Sequence, residues 1–267
     1  GNEQDGYPYA MSVFGVLAIL AFFGCFALTK ERVKQVAPTK GSLSVDFKTL
    51  LKNDQWLVVA LLFLVLLVPI VLRGASQVYY VKWFIGDAEL IAAFLTTGTF
   101  CQMIGAGFAS SLTKKLGKVP AYILVQSIIV VGSIALYFVS SSNLYAIFIL
   151  FGVVNFFVQM GAPILFTMAA DTVEYGELKT GRRVTGLVFS GALFALKLGV
   201  AVGGWLIGLI LAYYGYDGKA EAQSPEAIQG IVLSLTLFPA IGHFLLIPIV
   251  SFYKLNKKRC DEIRAEL

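Results

Sequence analysis

Charge is scarce in this chain of 267 residues: 14% are Asp, Glu, Lys or Arg, against roughly 25% in ordinary soluble domains. Histidine occurs once, as His243, and cysteine three times, as Cys25, Cys101 and Cys260. Scattered in this way they form neither a CxxC pair nor a Cys/His ligand set, so no zinc site, disulfide framework or resident metal is expected. HExxH, GxSxG and the Walker A pattern are also missing, and the chain is read as no enzyme and as having no cofactor of its own. What remains is 58% hydrophobic, with a mean hydropathy of +0.79. A soluble fold of that composition would expose far too much apolar surface.

Apolar runs of about 20 residues match the roughly 30 Å hydrocarbon core of a bilayer. Seven are predicted, over 9–28, 56–84, 90–112, 120–139, 144–168, 187–213 and 230–252. The expected fold class is therefore all-α, a polytopic transmembrane helical bundle. The chain starts at Gly1 with no basic leader before its first apolar run, and is expected to begin partway through a longer protein.

The net charge of +5 has meaning only by position. Lys and Arg gather in residues 29–55, 113–119, 171–186 and 253–267, whereas 1–8, 140–143 and 214–229 hold Lys219 alone. All the basic stretches fall on one side of a seven-span chain. The positive-inside rule then puts the N-terminus outside and the C-terminus in the cytoplasm of a cell membrane. Gathered in alternate loops, the charge points to a lipid bilayer and not to nucleic acid. Trp56, Trp83, Tyr79, Tyr80, Tyr137, Tyr213 and Tyr214 lie toward span ends as an aromatic belt would. Ser224-Pro225-Glu226 reads as an N-cap, a first-turn proline and an acid at the positive helix end. "VDFKTLLKN" and "KLNKKRCDEIRAEL" alternate apolar and basic residues at helical spacing, either along the membrane surface or as solvated ends of spans. Gly199/Gly203 and Gly204/Gly208 are each four apart and are expected to admit another helix closely.

Two cations lie inside spans. Lys197 is ten residues past Leu187, ~15 Å along the helix and so close to the midplane. Arg73 is sixteen past Leu57, ~24 Å along and nearer the outer face. Such charges cost ~2.5–3.5 kcal/mol on insertion scales and face a bundle interior or a watery cavity. Every Asp and Glu sits in a loop or at a span end, so none is placed to neutralise Lys197. Its counter-charge must come from substrate, other helices or cavity water. Arg73, Gln77, Tyr80 and Lys197 are the expected substrate-binding or cavity residues. His243 is expected to be a neutral core histidine bonded to a nearby carbonyl or hydroxyl.

Residues 170–186, "ADTVEYGELKTGRRVTG", set Asp171, Glu174 and Glu177 beside Lys179, Arg182 and Arg183. This stretch reads either as a solvated loop with i, i+4 pairs or as an ion-pair lock that switches between states; in the second reading Asp171, Glu174, Glu177, Arg182 and Arg183 form a cytoplasmic gate.

"YYVKWFIGDAEL", this acidic–basic segment, "LKLGVAVGGWLIGLILAYYGY" and "AQSPEAIQGI", in that order and spacing, resemble the glycoside-pentoside-hexuronide:cation symporters of the major facilitator superfamily, the group with the melibiose permease. The likeness corresponds to spans six to twelve of a twelve-helix fold. It implies a last helix of the N-terminal half over 1–28, an inter-half cytoplasmic linker over 29–55, a six-helix transporter half over 56–252 and a cytoplasmic tail over 253–267. It further implies a sugar or glycoside as substrate, symported by alternating access with Na⁺ or H⁺ held in the N-terminal half. A carrier of lipids or drugs, or a non-transporting structural membrane protein, are the alternatives. By the resemblance Lys197 matches the lysine of span eleven, Arg183 joins a salt-bridge network with Asp171 and Glu174, and Tyr79 and Tyr80 match a tyrosine pair of span seven. Where the permease has a cavity tryptophan this chain has Ala162-Pro163, so no aromatic platform for a galactoside is supplied there.

Overall fold

A computed structural model describes residues 3–30 and 43–267, and every regular element among them is a helix. The chain divides into two units, residues 1–40 and 41–267. The first unit contains α1 (Glu3–Leu28), apolar and long enough to cross a membrane. Residues 31–42 of the expected linker lie outside the described residues.

The second unit begins with α2 (Leu43–Leu51), followed by α3 (Asp54–Tyr79), which runs into a π-helical turn over Tyr80–Ile85. Then come α4 (Leu90–Leu116), α5 (Lys118–Tyr137), α6 (Leu144–Thr180), α7 (Thr185–Tyr213), α8 (Pro225–Leu235), α9 (Leu237–Ser251) and α10 (Lys257–Glu266). Seven helical segments among the described residues are long and apolar enough to cross a membrane, matching the seven predicted runs. Their starts follow from capping. Asn53, Asn143, Ser224 and Asn256 each accept a backbone N–H of the first turn on the side chain, from Trp56, Ala146, Ala227 and Arg259. Pro225 sits where its missing N–H costs nothing. Both surface stretches singled out in the sequence, now α2 and α10, are helical.

Two spans differ from expectation. The fifth continues past Met168 to Thr180, so Asp171, Glu174 and Glu177 are helical, and Gly181 ends it at φ 68°. Before that glycine its sequence contains one proline, Pro163, and three glycines, Gly152, Gly161 and Gly176, which the surrounding bundle tolerates. The last span is broken at Thr236 into α8 and α9. Pro239 is the cause: without an N–H it leaves the Leu235 carbonyl, four residues back, with no helical donor.

Within this unit α3 pairs with α7 and α4 with α6, while α5 and α9 pack on each other and on α6 and α3. The glycine expectation divides. A Cβ on Gly199 would strike the Leu64 carbonyl and one on Gly203 would lie 2.8 Å from Val71 Cβ, so these two admit α3; Gly204 and Gly208 have open space. The tightest approach joins α4 to α6, where a Cβ on Gly105 would overlap the Phe156 carbonyl. Gly105→Ala must push the helices apart and is expected to cost about 1–3 kcal/mol. Gly107→Ala, two residues along with open space, serves as the matched control. Thermal unfolding of the full-length protein in detergent checks the pair: a lowered midpoint for the first alone.

Candidate functional site

Lys197 lies on the outer face of α7, exposed, with no ion pair among the described residues. At about 100° per residue its stripe contains Gly186, Ser190, Leu193, Ala201, Gly204 and Gly208, all exposed. The adjoining exposed stripe is bulky: Phe194 (69%), Leu198 (41%), Trp205 (63%) and Leu209 (47%). The buried stripe, Val188, Ala192, Ala195, Gly199 and Gly203, packs on α3. α7 thus presents three faces, and its one charge stands among mostly small residues, with Leu193 the large side chain one turn away.

Arg73 corrects the sequence expectation. It is not on an open face: only 2% exposed, it lies where α3, α5 and the α8–α9 break meet. Its Nε donates to the Leu235 carbonyl at 3.2 Å and its Nη2 to Ser133 Oγ at 2.6 Å. The first bond replaces the donor that Pro239 lacks, and puts a cation at the negative end of α8. Tyr80 is likewise no cavity residue. It is fully buried in the π-helical turn, with its ring 4.8 Å from that of Phe84 and 6.1 Å from that of Phe94. Tyr79 meets Tyr216 edge-on, and Gln77 is half-buried one turn from Arg73. His243 is buried as expected, though its Nδ1 bonds the Gln126 side-chain oxygen, at 2.7 Å.

The basic end of the bundle contains an ion-pair network, with partners other than those expected. Asp171 pairs with Lys118 and accepts from the Tyr253 hydroxyl. Glu174 pairs with Arg264 of α10, Glu177 with Arg183, and Arg182 with Asp46 of α2. Lys179 reaches Asp54, which also takes the Tyr175 hydroxyl. Arg183 therefore contacts neither Asp171 nor Glu174. The overhanging end of α6 is instead pinned by α2, by the start of α3 and by α10. Cys260 and Ile263 of α10 are buried there, and burial, with the Asp171 charge adding to it, pushes the Cys260 thiol up to about 11. Asp46, Asp54, Lys118, Tyr253 and Arg264 had no signal in local spacing, since their partners lie far off in sequence.

The sequence matches the family described as MFS/sugar transport protein over residues 1–257. The chain belongs to that family. It is a multi-pass membrane protein. Among its relatives, the "Inner membrane symporter YicJ" of Escherichia coli (strain K12) is 38% identical over 267 residues, covering 100% of this chain and 58% of the relative. The "Putative glycoside/cation symporter YagG" of the same organism is 33% identical over 270 residues, with the same coverage. The "Glucuronide carrier protein homolog", also from E. coli, is 27% identical over 262 residues, 98% of this chain and 57% of the relative. The chain spans little more than half the length of these relatives. In this family member Lys197 has no ion-pair partner among the described residues, while Arg73 and Tyr80 are packed inside the bundle.

Proposed function

We propose that the chain is the C-terminal part of a sugar:cation symporter of the cell membrane, and not an enzyme. Its N-terminus would be outside and its C-terminus cytoplasmic. The observation that carries this reading is Lys197: an exposed ammonium in mid-span, on a face of mostly small residues, with no carboxylate to neutralise it among the described residues. Such a group is retained when it meets a polar substrate or charges across an aqueous cavity. The N-terminal half of the same transporter would supply the opposite wall and the acids that hold Na⁺ or H⁺. The network at the basic end would act as the cytoplasmic gate: apart from Asp171, which is buried against Tyr253, its carboxylates and cations are exposed or half-buried, so those pairs are each worth little alone and can be exchanged for water as the halves rock. The relatives named as symporters and a glycoside carrier support a glycoside, pentoside or uronide as substrate.

The test is uptake by the full-length protein in proteoliposomes under an imposed Na⁺ or H⁺ gradient. A glycoside or uronide should accumulate and carry the cation with it. Absence of any sugar-coupled flux overturns the reading.

A further inference from the structure

A second polar group stands in mid-span with nothing to bond. Gln159, near the middle of α6, is exposed, and its side-chain amide makes no hydrogen bond among the described residues. A primary amide offers two donors and an acceptor, and hydrocarbon satisfies none of them. Its neighbours sharpen the contrast. Asn155, one turn away on the same stripe, uses its side-chain oxygen to accept from Gln102 of α4 at 2.7 Å and its amide nitrogen to bond the Phe151 carbonyl. Pro163, one turn the other way, lacks the N–H that would bond the Gln159 carbonyl. Position 159 therefore offers a free amide and a backbone acceptor with no helical donor.

Depth can be read through α3. Gly161 meets Leu66, and Gly199 meets Leu64 and Leu67. Gln159 is two residues beyond Gly161 toward the outer end, and Lys197 two short of Gly199 toward the basic end. At 1.5 Å per residue the two lie ~7 Å apart in depth, on the two helices that flank α3. That offset is comparable with the span of one sugar ring.

Building on the proposed symport, we infer that Gln159 is a specificity-determining substrate contact, its amide hydrogen-bonded to neighbouring hydroxyls of a polyhydroxylated ligand while Lys197 engages the same ligand from α7. A neutral amide and an ammonium select for hydroxyl-bearing molecules, because an analogue lacking the hydroxyl leaves the amide unpaired.

The experiment uses the full-length protein. Gln159→Leu should raise KM for the transported sugar on the order of 10–100-fold, with a smaller change in kcat. Gln159→Asn, which keeps the amide one methylene short, should recover part of the loss. Gln159→Cys, with Cys25, Cys101 and Cys260 replaced by serine, should react with a water-soluble methanethiosulfonate, and the transported sugar should slow that reaction. A wild-type protein that carries sugar while Gln159→Leu keeps an unchanged KM overturns the inference, as does a Gln159→Cys thiol that the reagent never reaches. If the wild type carries no sugar, the symport reading falls by itself; labelling of Gln159→Cys then still decides whether the position faces water.

Discussion

Replacing Lys197 by alanine in the full-length protein is expected to lower kcat/KM for sugar uptake by about 100-fold, with expression and membrane insertion unimpaired. The two halves of that outcome have separate causes. Lys197 is exposed and makes no ion pair among the described residues, so truncation removes little packing and leaves no buried partner behind there. It also deletes a charge that opposed insertion. The ammonium's contribution is to charge-assisted hydrogen bonds with substrate or facing groups, worth about 1.5–3 kcal/mol. At 1.4 kcal/mol per tenfold, the upper part of that range is close to the stated loss. Lys197→Met, which keeps the stem and drops the charge, should behave like the alanine variant; recovery by methionine would locate the effect in packing. Uptake of labelled sugar into proteoliposomes, with protein recovery measured alongside, separates these outcomes. Unaltered uptake by both variants would show that the Lys197 ammonium engages neither the substrate nor a facing group during transport.

Much of this arrangement was legible in the residues. The spans follow from hydropathy alone, because a bilayer imposes one length and one polarity on every crossing segment. The Ser224 cap and its first-turn proline appear as predicted. Lys197 stands out in the sequence because every carboxylate lies in a loop or at a span end. Carboxylate placement says nothing of Arg73, whose guanidinium is held by a carbonyl and a hydroxyl. Pro239 frees the Leu235 carbonyl, but a proline does not show which distant side chain takes it. Gln159 carries no full charge, so its place in a span is unmarked by charge counting. The network at the basic end was visible as composition, yet its pairing was not. Arg264 and Glu174 are joined by docking of α10 on α6, a contact that sequence separation hides. Tyr80 reads as a belt residue by position, but the π-helical turn rotates it into the aromatic cluster.

Arg73→Ala is expected to destabilise the folded bundle by about 3–8 kcal/mol, a large share of the 5–15 kcal/mol by which proteins are stable. Truncating a large buried side chain leaves a cavity costing about 2–5 kcal/mol, and the Leu235 carbonyl, left without a donor, adds about 1–3 kcal/mol. Relief from burying the charge does not cancel this. For helices already in the bilayer the unfolded reference also holds the guanidinium away from bulk water, so the penalty falls mainly on insertion. Arg73→Met should accordingly insert better and unfold sooner. Pro239 makes the cause separable. Pro239→Ala restores an N–H that can bond Leu235 within a continuous helix, which removes the demand Arg73 meets. Arg73→Met should then cost about 1–3 kcal/mol less in the Pro239→Ala background than alone, a coupling read from thermal or denaturant unfolding of the four proteins. Purely additive losses would mean that Arg73 stabilises α8 and α9 through packing and Ser133, and not by capping the carbonyl that the proline sets free.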